Sequence, residues 1–248
     1  MEFENRNVIV TGGANGIGRA VVDGVIAEGG HAVILDMNLE ASKAVRQQLG
    51  KEKVSVYQMN LADSQGIRDV MDQVIKDLGQ VHVLVNCAGI VNTKPFDEIG
   101  QEEWERVINI NLNGTYTAIS AVYPHMKKNR YGRIVNVASV AAKRGGGLLG
   151  TSAYATSKAG VIGLTKAIAR EGGPYGIACN AVCPAFTLTH MLDSMSKELQ
   201  EQLAASMPLR RGAQPEEVAN MILFLASDRA SFITGEISDA DGGITMDG

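Results

Sequence analysis

The hydrophobic positions of this chain alternate between two patterns. Short, nearly continuous apolar runs rich in β-branched residues occur at VIV (8–10), AVIL (32–35), VSVY (54–57), VHVLV (81–85), RIVNV (133–137) and ACNAV (178–182). A last apolar patch lies around Ile237, after Gly235. Runs of this kind belong to strands covered on both faces of a parallel sheet. Between them the period becomes helical. Ile67, Val70, Met71, Val74, Ile75 and Leu78 form one stripe of a 3.6-residue helix. Ile17, Ala20, Val21, Gly24 and Val25 repeat the pattern, as do Val218, Met221, Ile222 and Leu225. This alternation predicts an α/β fold: a doubly wound parallel sheet, Rossmann-like, in three layers.

No repeat, low-complexity segment or linker divides the sequence, so one domain over residues 1–248 is expected. Two stretches break the rhythm. KRGGGLLGT (143–151) is glycine-rich and falls between a strand and a helix. Residues 184–214 form a long excursion carrying Met191, Met195 and Met207. Loops after the carboxyl ends of strands line the crevice of open α/β sheets, so this excursion is expected to be a substrate lid.

Composition narrows the class. The 23 Lys+Arg against 27 Asp+Glu give a net charge of −4, with no basic face to suit nucleic acid or an anionic membrane. The N-terminus is too acidic for a secretory signal, and no apolar run approaches the roughly 20 residues that span a bilayer. Three cysteines, Cys87, Cys179 and Cys183, form no CxxC pair and suit a reducing compartment. A soluble, cytoplasmic protein is the expectation. The four histidines show no metal-ligand spacing.

The chemistry is carried by motifs. TGGANGIG (11–18) follows the first strand and opens the first helix, where backbone N–H groups and the helix dipole receive a pyrophosphate. Its spacing, Gly12-x3-Gly16-x-Gly18, is not the GxGxxG fingerprint. Asp36 ends the second strand, where a carboxylate accepts hydrogen bonds from an adenosine ribose and repels a 2′-phosphate. Met37 and Asn38 follow it and Asn15 stands in the turn, with no Arg or Lys beside them. NAD is therefore expected over NADP. Tyr154 and Lys158, in YATSK, share one helix face, where an ammonium would lower the phenol's pKa toward working pH for acid–base catalysis. Ser139 lies just past RIVNV, Asn86 ends a strand in NCAG, and Asn111 lies in NINLNG.

In this order the motifs, from TGGANGIG through NCAG, NLNG, Ser139 and YATSK to ITGEISDADGG, resemble the single-domain branch of the short-chain dehydrogenase/reductase family over essentially the whole chain. The resemblance implies an NAD-dependent alcohol dehydrogenase or ketoreductase. Tyr154 would be the acid–base, Lys158 would lower its pKa and hold the nicotinamide ribose, Ser139 would hold the substrate oxygen, and Asn111 would position a water. The implied cofactor-binding set is Gly12, Asn15, Gly16, Ile17, Gly18, Asp36, Asn60, Leu61, Asn86, Ala88, Gly89, Pro184, Thr187 and Thr189, with Tyr154 and Lys158. No metal is implied, and a homotetramer is the family's usual assembly.

Three departures stand out. Asn60 replaces the family's frequent Asp, Pro184-Ala185 replaces Pro-Gly, and Ser139 to Tyr154 spans a slightly long interval. The lid residues Phe186, Leu188, Met191, Leu192 and Met195, with Leu148 and Leu149, suggest a partly apolar pocket for a small secondary alcohol, 3-oxoacyl group or cyclic ketone. The glycine run and His190 would equally admit a polyol. Ser194-x-x-Lys197 lacks the partner motifs of a serine acylase, Asn113-Gly-Thr means nothing without secretion, and His82 and Trp104 read as structural. A dinucleotide-sensing regulator without turnover, or a subunit active only with a partner, remain as alternatives.

Overall fold

The computed structural model describes residues 1–147, 150–189 and 195–246. Seven strands form one parallel sheet in the order β3-β2-β1-β4-β5-β6-β7. They are β1 (Asn7–Thr11), β2 (His31–Asp36), β3 (Val54–Gln58), β4 (Val83–Asn86), β5 (Gly132–Val137), β6 (Ile177–Pro184) and β7 (Ile237–Ala240). The order reverses between β1 and β4, the topological switch point where such sheets open a crevice beyond their carboxyl ends.

The central apolar runs form strands because both faces of each are buried, whereas β3 and β7 at the sheet edges are only partly buried. Val8, Val10, Ala32, Ile34, Val83, Val85 and Val135 pack to one side, while Ile9, Val33, Leu35, Leu84 and Ile134 pack to the other. The first face is covered by α1 (Gly16–Ala27), α9 (Pro215–Ala226) and, at its edge, α2 (Leu39–Leu49). The second is covered by α3 (Ser64–Leu78), α5 (Gly114–Asn129) and the long α7 (Ser152–Gly172). The expected doubly wound, three-layer arrangement is thus the one observed. The Ile67/Met71/Val74 stripe faces the sheet, and the Asp63 side chain caps α3 by accepting from the Gln65 and Gly66 N–H groups.

Some boundaries differ from expectation. Val81 and His82 precede β4, because their backbone N–H groups go to His125 Nε2 and the Asn7 carbonyl. Pro184 closes β6, paired with Ala240, instead of opening the excursion after it. Lys143 and Arg144 end a short helix, α6 (Val140–Arg144), so the glycine loop begins at Gly145. Within 184–214, α8 (Lys197–Ser206) packs through Leu203 on Phe186 and Met207, with Ile244 beside them. Leu148, Leu149, His190, Met191, Leu192 and Ser194 lie outside the described residues. The remaining helix, α4 (Gln101–Ile108), carries a half-buried Trp104.

At the amino ends of the strands, buried His82 accepts the Asn7 N–H at Nδ1, 3.0 Å away. Burial, with Arg6 and His125 next, pulls its pKa down to about 4, and His125 is likewise lowered by burial, with Lys128 adding. Between about pH 6.5 and 4 the unfolded chain therefore binds more protons than the folded one, so stability falls as pH falls through that window. Thermal melts from pH 7.5 to 4.5 should show a declining Tm. His82→Gln, which keeps an acceptor and cannot titrate, should flatten the decline; an equal slope in wild type and variant would contradict it.

Candidate active site

The residues singled out in the sequence converge on the carboxyl edge of the sheet, because each follows a strand end or opens the helix after one. Gly12, Asn15, Gly16, Ile17 and Gly18 form the turn from β1 into α1. Asp36 ends β2, Asn60 and Leu61 follow β3, and Asn86, Ala88 and Gly89 end and follow β4. Asn111 sits between α4 and α5, Ser139 follows β5, and Tyr154 and Lys158 lie in α7. Pro184 ends β6, with Thr187 and Thr189 just beyond.

The turn is built for close backbone approach. A Cβ on Gly18 would stand 2.2 Å from the Gly12 carbonyl oxygen, so α1 reaches the turn only with glycine there. Asn15 is the N-cap of α1, yet its side chain makes no capping bond, and no acidic residue occupies the first turn. Donors and positive dipole end thus remain free for an anion. Gly16 faces Thr189 across the crevice, its hypothetical Cβ 3.2 Å from the Thr189 methyl. Thr11, which the sequence reading passed over, is buried and accepts from the Cys87 and Ala88 N–H groups at 3.1 and 3.2 Å, tying the turn to the end of β4.

Asp36 is held in place by backbone donors. Ala14 N–H reaches Oδ2 at 3.2 Å and Asn38 N–H reaches Oδ1 at 2.9 Å. Arg19, the nearest basic residue in the turn sequence, is ion-paired to Asp23 at 2.9 Å and reaches Gln48 with its other end. Asn60 is exposed, and its Oδ1 accepts from Ala62 N–H at 2.9 Å. Asn86 turns its amide into the sheet: Nδ2 donates to Asn136 Oδ1 at 2.8 Å, and Asn136 donates in turn to Thr165 of α7 at 2.9 Å. This buried chain couples the switch-point strand to α7.

At the other end of the crevice lies a polar cluster. Residues Asn109–Asn113 form a π-turn between α4 and α5, a distortion that commonly marks a functional residue. It buries Asn111, whose Nδ2 donates to the Ile90 carbonyl (2.9 Å) and Ser157 Oγ (3.1 Å), while Oδ1 accepts from Ile90 N–H (2.8 Å). Ser157 inside YATSK went unremarked in the sequence; its hydroxyl donates to the Tyr154 carbonyl at 2.7 Å. Lys158 is 5% exposed and donates to the Val137 carbonyl at 2.7 Å. Ser139 is the N-cap of α6; its Oγ accepts from Ala141 N–H at 3.1 Å, which leaves its proton for the Tyr154 phenol beside it.

The electrostatics correct one expectation. Lys158 Nζ lies 5.9 Å from the centre of the Tyr154 ring, and its proton is directed at Val137. Burial raises the phenol's pKa above its ordinary value, with the Ser139 hydrogen bond pulling it partly back. Desolvation therefore sets the direction, contrary to the depression read from the Tyr-x3-Lys spacing. Burial also lowers Lys158 to about 8, so it still carries its charge at pH 7. The same burial lifts the Cys87 and Cys183 thiols to about 12 and about 11, too high for nucleophiles. Gly150 presses on the Tyr154 ring: at φ +86° its hypothetical Cβ would stand 2.3 Å from Cδ1. Among the described residues no cluster of His, Cys, Asp and Glu is arranged to hold a metal, and no helix is long and apolar enough to cross a membrane.

Residues 12–245 match the family model described as Enoyl-(Acyl carrier protein) reductase. The chain is 39% identical to the 3-oxoacyl-(acyl-carrier-protein) reductase FabG of Thermotoga maritima, with 99% of this chain and all of that protein covered. Among solved structures, gox2181 superposes with a TM-score of 0.95 at 34% identity, covering 98% of this chain and 97% of that one. A short chain dehydrogenase/reductase family protein superposes at 0.89 and 34%, covering 98% of both. The chain belongs to the short-chain dehydrogenase/reductase family, whose members are oxidoreductases that use a nicotinamide dinucleotide.

Proposed function

From that membership, we propose that this protein transfers a hydride between NAD(H) and a secondary alcohol or ketone, with a 3-oxoacyl thioester as the leading substrate class and a small alcohol, cyclic ketone or polyol as the alternatives. The observation that carries the proposal is the pairing of the Tyr154 phenol with Ser139 above the buried Lys158 at the carboxyl edge of the sheet. The FabG name of the similar Thermotoga protein supports the 3-oxoacyl choice.

The residues fit a dinucleotide. The uncapped start of α1 would receive the pyrophosphate, the Asp36 carboxylate would receive the adenosine ribose, and Thr187 and Thr189, beyond Pro184, would meet the carboxamide and phosphates, Thr189 facing Gly16 of the turn. Asp36, held by two backbone donors and distant in sequence from any free cation of the turn, favours NAD over NADP. When bound, the nicotinamide ring exchanges the hydride with the substrate carbon.

The chain's own groups manage the oxygen and its proton. Ser139 donates to the substrate oxygen, its hydroxyl oriented by the bond it accepts from Ala141. Tyr154, kept protonated at neutral pH by burial, gives its proton to that oxygen during reduction and takes it back during oxidation. Lys158 holds a positive charge beside the phenol and replenishes the proton path, and Asn111 fixes both the Ile90 loop and Ser157 of the Tyr154 turn. The excursion over 184–214, to which α8 belongs, would serve as the substrate lid, and the working assembly is a soluble, cytoplasmic homo-oligomer.

The deciding experiment is NADH and NADPH binding by fluorescence, followed by absorbance at 340 nm across 3-oxoacyl and enoyl thioesters, ketones and polyols. Turnover of a carbonyl class with NADH supports the proposal; binding with no turnover supports a sensor instead. Tyr154→Phe should retain NADH binding and lower kcat by about 100-fold or more; near-normal turnover would remove the assignment. Asp36→Ala should weaken NADH by about tenfold, since it removes charged hydrogen-bond acceptors, and should narrow the gap to NADPH. An unchanged ratio of the two affinities would mean that another group sets the preference.

A further inference from the structure

We propose that Asn92 is a positioning residue for Tyr154, acting with Thr151, Glu103 and Lys94 as a clamp between helix α4 and the first turn of α7. The proposal rests on the reading of Tyr154 as the proton-transfer group.

Its starting point is a cap put to another use. Thr151 is the N-cap of α7, and Tyr154 lies in the first turn. A threonine at this position ordinarily accepts a hydrogen bond from an N–H of that turn. Thr151 makes no such bond. Its hydroxyl donates instead to Asn92 Oδ1 at 2.9 Å, and its backbone N–H donates to the Asn92 carbonyl at 2.9 Å.

Asn92 is only 4% exposed, though its neighbours Thr93 and Lys94 are open to solvent. Its Nδ2 donates to Glu103 Oε1 of α4 at 2.5 Å, and Lys94 closes on Glu103 Oε2 at 2.5 Å. Two residues earlier, Asn111 takes both the N–H and the carbonyl of Ile90. The segment from Ile90 to Asn92 is thus held at one end by Asn111 and at the other by Thr151, the residue that starts the helix of Tyr154.

The clamp acts on the ring itself. Gly150, next to Thr151, lies against Tyr154 so closely that any Cβ there would clash. A shift of Thr151 is therefore passed to the Tyr154 ring, and loss of reacting geometry by about 1 Å costs up to a hundredfold in rate. Asparagine suits position 92 because its amide donates to Glu103 and accepts from Thr151 at once. Aspartate would lose the donor and set a second carboxylate against Glu103.

The test compares Thr151→Val, which removes the hydroxyl donor and keeps the backbone bond, with Thr151→Ser, which restores the donor, and Asn92→Ala. Hydrogen exchange of the first-turn amides of α7 should quicken by about tenfold in Thr151→Val and Asn92→Ala, with exchange in the sheet unchanged. In the same variants kcat should fall by about tenfold or more, with KM for NADH within about twofold of wild type. Thr151→Ser should recover both. First-turn exchange as slow as in wild type, or slower kcat accompanied by an equal loss of NADH affinity, would overturn the clamp. If wild type binds NADH but reduces no carbonyl, the proton-transfer reading fails on its own, and the exchange comparison still decides whether Asn92 holds the turn.

Discussion

The double-sided burial of a parallel sheet is the constraint on which everything else in this molecule depends. Neighbouring residues of each strand point to opposite faces, and in the central strands both faces are dry: Val8 and Val10 pack against one helix layer, Ile9 against the other. Such a sheet cannot close by tight hairpins, so every connection crosses over through a helix. All seven strands therefore present their carboxyl ends on one edge, and the reversal of order between β1 and β4 opens that edge into a crevice. The glycine turn, Asp36, Ser139 and the α7 tyrosine meet there as a consequence of topology, although they are up to 142 residues apart between Gly12 and Tyr154.

Within the crevice the chain places polar groups where water is scarce and pairs most of them with one another, while Asn86 Oδ1 is buried without a partner. Lys158 is buried against a carbonyl, Asn111 uses every face of its amide, and the Asn86–Asn136–Thr165 chain runs between the sheet and α7. Buried polar groups left unpaired cost free energy, but a network that is paired specifies one geometry. The same desolvation that lowers the lysine raises the tyrosine. The two shifts move the ammonium and the phenol further apart in pKa than they are in water, so the phenol holds its proton at neutral pH until an oxygen in the site draws it off.

Much of this was legible in the sequence, and the parts that were not have physical reasons. The strands announced themselves because burial on both faces demands β-branched runs, and α3 announced itself through its stripe at Ile67, Met71 and Val74. Tyr154, Lys158 and Asp36 were visible because their chemistry depends on spacing along one helix or on position at one strand end. Thr11, Ser157 and Asn92 were missed, since each acts through a partner distant in sequence: Thr11 on Ala88, Ser157 on Asn111, Asn92 on Thr151. The phenol's upward shift was also beyond reach, because charge spacing can be counted in a sequence and desolvation cannot. The departures at Asn60 and Ala185 leave the site's polar partners in place: Asn60 still accepts a backbone N–H, and the Ala185 carbonyl accepts the Thr187 hydroxyl.

The most direct test of the role given to this crevice follows the hydride itself. Purified protein would be given NADH dideuterated at the nicotinamide C4 with a 3-oxoacyl thioester or simple ketone, and the product examined by mass spectrometry and NMR. One deuterium is expected on the new carbinol carbon, and none on that carbon when unlabelled NADH is used in D2O, because the solvent proton reaches only oxygen through Tyr154. Carbinol deuterium drawn from D2O, or label left wholly in the cofactor while the ketone disappears, would contradict direct hydride transfer and with it the role given to this site.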